Sequence, residues 1–417
     1  VPVPGTFFIP MNYKQSVGYL NSLINYERWI SVNPKRSFNL NRMRAFSKRL
    51  GNPHDKFRSV HVAGTKGKGS TVAILASILQ ASGYRVGRYT SPHLVNLRER
   101  IAIDGKWISE KDFAAEMSKI KKSLGNLKPT YFEAMTLLAF LTFAKKKVDI
   151  AVVEVGLGGR LDATNVLNPL ISVMTSISYD HMKELGATLT KITREKAGII
   201  KYGGVVVTAP QEKEARDVIQ KVAEDKKTIV VATSVADQER LKPLLRTLHL
   251  LGQFQIENAS VAIRAAESLL NFGFDKISEA SIRRGLKTVR WPGRFEIIRR
   301  NPAIILDGAH NGESMEAILA GVEKMFPKSR IVPVLGVSRG KDLKRIREAL
   351  AKVTDQWIAT ESGDVRALPA RELGGTFVAA PVSKAIQLAR SIAKPEDVIL
   401  VAGSLYLIGE IIRNGQN

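Results

Sequence analysis

Short apolar, β-branched segments alternate with amphipathic ones along most of this chain. Arg58–Ala63, Arg85–Thr90, Asp149–Val155, Ile171–Ser178, Gly204–Ala209 and Thr228–Thr233 are bounded by turn residues and predict strands. Behind the first of them, Val72, Leu75, Ile78 and Leu79 share one helical face until Gly83 ends the run. Residues 12–50 read as helix, with Tyr19, Leu20, Leu23 and Ile24 on one side. A second helix, Gln255 to Leu270, carries a stripe of Ile256, Ala259, Ile263 and Ala266. Trp291-Pro-Gly-Arg294 then interrupts the pattern. Beyond it the strand periodicity resumes at Ala303–Leu306, Ile331–Leu335, Gln356–Thr360 and Val398–Ala402, mostly with helical segments between. The expected fold class is α/β. A P-loop ATPase domain with a mostly parallel sheet is expected over 1–292, a smaller C-terminal α/β domain over 297–417, and a hinge over 288–296. In such sheets ligands sit beyond the carboxyl ends of the strands, so the strand-end motifs carry the candidate chemistry.

The first of these motifs is Val60-His-Val-Ala-Gly-Thr-Lys-Gly-Lys-Gly-Ser-Thr71. It runs strand, glycine loop, helix. Gly64, Gly67 and Gly69 allow a tight turn, and a helix N-terminus with exposed N–H groups attracts anions. Thr65, Lys66, Gly67, Lys68, Gly69, Ser70 and Thr71 form the rest of the cradle. Lys68 supplies a mobile cation for phosphate oxygens, and Ser70 a hydroxyl for magnesium. The usual P-loop reads G-x-x-x-x-G-K-[ST]. Here the first glycine lies three residues before Gly67, and Gly69 separates Lys68 from Ser70, a spelling of ATP-dependent ligases that join an amino acid to a carboxylate.

Composition narrows the field further. The 417 residues suffice for two or three domains, and the apolar content supports a sizeable core. The absence of cysteine excludes disulfides, thiolate metal sites and a cysteine nucleophile, and fits a reducing compartment. Val1-Pro-Val-Pro does not read as a secretory signal. Thr136–Ala144, the most apolar run, falls short of the roughly 20 residues that span a bilayer. A cytoplasmic protein without membrane partners is expected, or one of an organelle matrix if a targeting peptide has been removed. The formal net charge of +24 raises nucleic-acid binding as an alternative. Lys and Arg are nevertheless spread along the chain without an aromatic–basic pattern. Lys119-Ile-Lys-Lys122 and Lys145-Lys-Lys147 read as solvated helix faces or ends. A positive field equally serves an enzyme of anionic small molecules, so no specific nucleic-acid partner is expected.

Further strand ends carry polar groups. Asp149–Glu154 ends in a carboxylate of the kind a P-loop ATPase uses for magnesium, with Gly156, Gly158 and Gly159 permitting close backbone approach. Ile171–Ser178 leads into Tyr179-Asp180-His181, where the histidine suits either a metal or a turn. Thr193–Ile200 contains Lys196, an ordinary helix lysine when taken alone. Ile304–Leu306 leads into Asp307-Gly-Ala-His310-Asn311, where acid and imidazole can share one site or Asp307 can cap the next helix.

Taken together, these pieces resemble the folylpolyglutamate synthase / dihydrofolate synthase family within the Mur ligase superfamily. The motifs are the P-loop, Thr90-Ser-Pro-His-Leu94 with Arg98–Ile101, Phe132-Glu133, Glu154–Asn165, Asp180-His181, Glu195–Ile200, Gln255–Asn258, Pro292-Gly-Arg294, Asp307–Asn311 and Gly403–Gly409. The resemblance implies an ATP- and magnesium-dependent ligase that adds L-glutamate to a folate or dihydropteroate carboxylate through an acyl phosphate. It implies two magnesium ions held by Ser70, Ser91, Glu154, His181 and Lys196, the last carbamylated by CO2, and a monovalent cation. Asn258, Arg294 and Asp307 would contact the nucleotide. Lys68, Lys196, Asp307 and His310 would act in catalysis, and Phe132, Asp162, His310 and Ser404 would face the substrates. A monomer is expected. The chain departs from the family pattern at Phe254, where His is common, at Gly312-Glu313, where Pro-His is common, and in a shortened Ser234–Gly252. The alternatives are a Mur-type ligase acting on another carboxylate, against which stand the mere 63 residues before Gly64, and a nucleic-acid-binding P-loop ATPase.

Overall fold

The structure, a computed structural model, describes residues 9–27 and 39–414. It divides into two compact units. One comprises Val1–Pro92, Arg98–Leu248 and Glu257–Val289; the other comprises His93–Leu97, His249–Ile256 and Arg290–Asn417.

The first unit is built on an eight-stranded sheet in the order β4-β3-β2-β5-β1-β6-β7-β8. β1 (Arg58–Ala63) lies between β5 (Ile150–Glu154) and β6 (Ile171–Met174), parallel to both. β2 (Val86–Tyr89), β7 (Val205–Thr208) and β8 (Ile229–Ala232) extend the parallel set. Only β3 (Ile101–Ile103) and the edge strand β4 (Lys106–Trp107) pair antiparallel. The pattern of apolar residues did not reveal this hairpin, because its strands are so short. Its turn, Asp104-Gly105, takes positive φ at both residues, the local signal that identifies it.

β1, β5 and β6 are buried almost throughout, as a parallel sheet covered on both faces requires. Helix Lys68–Ala81 follows the same rule. Val72, Ala73, Ile74, Leu75, Ile78 and Leu79 are all buried, so it has no wet face over that stretch. The apolar run Thr136–Ala144 lies within helix Tyr131–Lys146, whose middle is likewise buried. Among the described residues no helix is long and apolar enough to cross a membrane. The expected helix over 12–50 is a correction: it is two helices, Tyr13–Asn21 and Leu40–Arg49, each capped by an asparagine, and 28–38 lie outside the described residues. Lys145 and Lys146 are also not merely solvated. They pair with Asp112 at 3.0 and 2.8 Å, and Lys145 reaches Glu116 at 2.9 Å.

The second unit carries a six-stranded sheet, β13-β12-β11-β14-β10-β9. β10 (Ala303–Leu306), β11 (Ile331–Leu335) and β14 (Val398–Ala402) fall where periodicity puts them, and β14 inserts between the other two. β12 shrinks to Ile358–Ala359. β9 (Glu296–Arg300) runs antiparallel to β10, and β13 (Phe377–Val378) forms the far edge; both are too exposed or too short to read from hydrophobic pattern. Phe254, the departure from the family pattern, packs against the core of this unit.

Candidate active site

β1 delivers the chain into the phosphate-type loop, and Gly67 makes the turn. Its φ of +79° is left-handed, and an added Cβ would lie 2.0 Å from Asn258 Oδ1. Helix Lys68–Ala81 starts directly behind it with no side-chain cap. The first N–H groups of a helix lack intrahelical partners, so this end offers uncapped donors and a positive dipole. Thr65 ties the loop to the segment after β6: its hydroxyl donates to Ser178 O and accepts from Ser178 N, both at 3.1 Å. Lys68 Nζ reaches back to Thr65 O at 3.3 Å. Ser70 is buried, and Thr71 Oγ1 is buried with no hydrogen-bond partner among the described residues.

Lys196 comes from the last turn of helix Leu189–Ala197. It is 4 % exposed, and its Nζ donates to Gly64 O at 2.8 Å. Burial, reinforced by the Lys68 charge and opposed by Asp180, lowers its amine to about 7. Lys196 therefore differs from an ordinary helix lysine: half its population is an uncharged nucleophile near neutrality. Gly64, Thr65, Lys68, Asp180, His181 and Lys196 line one pocket with Val155–Gly158. His181 sits in left-handed backbone at φ 49°, its ring half exposed between Asp180 and Glu184 at 3.8 and 3.9 Å.

At the neighbouring strand ends, Glu154 is buried and accepts from Ser91 N at 3.0 Å. Two of the expected metal ligands are thus adjacent. Phe132 closes on the next turn of chain, where a Cβ on Gly156 would meet its ring at 2.4 Å. Asp162 is turned inward. It accepts from Leu157 N and Thr164 N, both at 2.9 Å, and from the Thr164 hydroxyl, and its carboxyl is raised by burial against those hydrogen bonds. Its contacts are with its own loop.

Among the described residues no three His, Asp or Glu side chains converge to hold a metal. A hard cation at this pocket would take its oxygens from Glu154, the Ser70 hydroxyl, phosphates and water, which is how magnesium is commonly bound. The uncapped helix end, the orphaned Thr71 hydroxyl and Lys68 fit a nucleotide phosphate chain.

In the second unit, Asp307 and His310 follow β10. Asp307 is buried and accepts from Phe295 N at 2.8 Å and Ala309 N at 2.7 Å. Burial raises its carboxyl, and the Arg294 charge opposes that. His310 Nδ1 lies 2.8 Å from Gly308 O, and Asn311 caps helix Gly312–Met325. Ser404, after β14, accepts from Tyr406 N at 3.2 Å. Sequence reasoning passed over His61 and Thr164, whose side chains meet at 2.8 Å. A histidine between Val60 and Val62 in a buried strand was the available signal.

A parallel-sheet unit with an uncapped phosphate cradle, followed in the chain by a smaller α/β unit, is the arrangement of the Mur ligase superfamily. The Mur ligase middle domain matches residues 62–266, and the Mur ligase glutamate ligase domain matches 293–405. The chain is 37 % identical over 406 residues to the dihydrofolate synthase/folylpolyglutamate synthase of Bacillus subtilis, covering 89 % of this chain and 94 % of that one. The Mycobacterium tuberculosis folylpolyglutamate synthase complexed with ADP superposes with a TM-score of 0.84 at 29 % identity, over 97 % of this chain and 98 % of that one. The Escherichia coli FolC structure in complex with DHPP and ADP gives 0.84 at 30 % identity, over the same shares. The chain belongs to the dihydrofolate synthase/folylpolyglutamate synthase family.

Proposed function

We propose that this chain carries out the reaction of its family, the ATP-dependent addition of L-glutamate to a folate-type carboxylate, tetrahydrofolate or dihydropteroate, in the pocket between Gly64, Lys68 and Lys196. The carboxylate oxygen attacks the γ-phosphorus of ATP, ADP leaves, and an acyl phosphate forms. The glutamate amine then attacks the acyl carbon, loses a proton, and inorganic phosphate departs. Such transfers need positioning and charge neutralisation more than covalent help.

The helix end at Lys68–Ser70 and the loop from Gly64 hold the phosphates, and Lys68 follows the charge as it moves to the leaving ADP. Asn258 orders Gly67 and stands beside the nucleotide. Ser70, Ser91, Glu154, His181 and a carbamylated Lys196 would hold two magnesium ions, which neutralise phosphoryl charge when bound. A carbamate is the form of Lys196 that suits this role, because an ammonium repels a cation. Phe132 faces the pterin side. The family resemblance assigns Arg294 and Asp307 to the nucleotide, and His310 and Ser404 to the substrates.

The observation that carries this reading is the convergence of an uncapped helix end, Lys68 and a buried, half-neutral Lys196 on one pocket. It is tested by glutamate-dependent ADP release with dihydropteroate and with tetrahydrofolate as acceptors. ADP release indifferent to both acceptors and to glutamate would refute it.

A further inference from the structure

The loop from Val155 to Asn165 is tied down by a chain of groups that the ligation chemistry leaves unused. Asp162 Oδ1 accepts from Thr164 N at 2.9 Å and from the Thr164 hydroxyl. That hydroxyl has one hydrogen, and Asp162 takes it. His61 Nε2 lies 2.8 Å from the same oxygen, so the ring is the donor there. His61 therefore carries its proton on Nε2. Its Nδ1 is bare, and it is buried without a partner. Burial, with the Lys201 charge, lowers the imidazole to about 3, so this donor stays neutral at working pH.

The other side of the loop is stitched to the helix end that bears Lys196. Arg160 N donates to Glu195 O at 2.7 Å, and its guanidinium pairs with the Glu195 carboxylate at 2.8 Å. Asn165 Nδ2 donates to Arg160 O at 3.0 Å and Gly198 O at 3.2 Å. A Cβ on Gly159 would stand 2.7 Å from Lys196 O. The loop is thus the spacer between β1 and the backbone of Lys196, and its residues Gly156–Gly158 form one wall of the pocket.

We propose that His61, through Thr164 and Asp162, is a positioning residue that sets the Val155–Asn165 loop and, by it, the pocket wall and the Lys196 amine. It touches no substrate. The kinetic part of the test rests on the ligase reading; the hydrogen-exchange part does not.

The test compares His61→Leu, which removes the donor, with His61→Gln, whose side-chain amide returns an N–H near the place of Nε2. Loss of one buried hydrogen bond of this kind is expected to change local opening and turnover by about ten- to a hundredfold. In His61→Leu, amide exchange over 155–165 should rise by that factor while exchange over 64–71 stays within about twofold. The kcat with glutamate should fall by a similar factor, with ADP affinity within about twofold, and His61→Gln should recover kcat to within about threefold. Unchanged exchange in the leucine variant, or a glutamine variant as impaired as leucine, overturns the proposal. If His61→Leu does not fold, Thr164→Val, with Thr164→Ser as its rescue, makes the same comparison. Exchange behaving as expected in a protein with no ligase activity would uphold the positioning role and remove the ligase reading alone.

Discussion

Turnover should depend on dissolved carbon dioxide, and Lys196 sets the size of the effect. Only an uncharged amine attacks CO2. At pH 7 an ordinary lysine of pKa 10.5 is roughly 0.03 % neutral, from 10 raised to (7 − 10.5), whereas Lys196 at about 7 is roughly half neutral. The reactive form is thereby enriched roughly 1,500-fold. The same Lys68 charge that disfavours an ammonium at Lys196 would favour the carbamate anion proposed in its place. The sign follows directly. As pH falls below about 7 the amine protonates, carbamate is lost, and activity falls; it recovers as pH rises through 7.

The assay has two arms. Glutamate-dependent ADP release is measured in buffer stripped of CO2 and again after bicarbonate is restored. Labelled carbon dioxide is then used to look for a lysine carbamate signal by carbon NMR, with Lys196→Ala as the blank. Stripping should lower turnover at least about tenfold, and bicarbonate should restore it. Lys196→Ala should be nearly inactive and partly recovered by a short carboxylic acid. Folding stability gives an independent check. The folded-state pKa lies below the unfolded one, so the unfolded chain binds more protons and stability rises with pH between about 7 and 10.5. Lys196→Met should flatten that rise. Full turnover without CO2, together with no carbamate signal in the presence of magnesium and nucleotide, would refute the reasoning.

Lys68→Ala should abolish glutamate-dependent ADP release while leaving the circular dichroism spectrum unchanged; near-wild-type turnover would end the phosphate-cradle assignment. Gly67→Ala strains a left-handed residue and drives a methyl into Asn258 Oδ1, so ADP affinity by calorimetry should fall at least about tenfold, and the double variant with Asn258→Ala should lose less than the sum. Asp307→Ala leaves the Phe295 and Ala309 amides without their acceptor and should lower thermal stability as well as activity. His310→Ala, by contrast, should raise KM for glutamate with stability little changed. Equal thermal losses in the two variants would show that Asp307 is not the structural member of the pair.

The sheets were legible in the sequence to the extent that burial is two-sided. β10, β11 and β14 are continuous apolar runs because helices cover both their faces, and β1, buried from Ser59 onward, keeps Val60, Val62 and Ala63 ahead of the glycine loop; the pattern finds all four to the residue. β4, β9 and β13 are edge strands and β3 lies next to one; all four are short or half wet, and their apolar signal is correspondingly weak. Glycine spacing and strand order gave the phosphate loop, because φ at Gly67 and an uncapped helix end follow from local chemistry alone. Lys196 could not be read this way. Its buried amine depends on Gly64, Lys68 and Asp180, residues brought in by two other segments, and only the family resemblance pointed to it.

Asp162 shows where motif reading stops. The motif marks it as a functional position, and a substrate contact is the economical interpretation of a carboxylate beside a glycine loop. In the structure the side chain accepts from Leu157 and Thr164 of that same loop. What the motif cannot convey is direction, which on the proposal above is set by His61 donating from β1 into Thr164. A residue that shapes the pocket and a residue that touches the substrate are both needed for turnover, and both carry the same mark in a sequence. They separate only when the hydrogen of each hydroxyl and imidazole is followed to its acceptor. On the positioning proposal Asp162, Thr164 and His61 shape the pocket, while Lys68 and Lys196 line it.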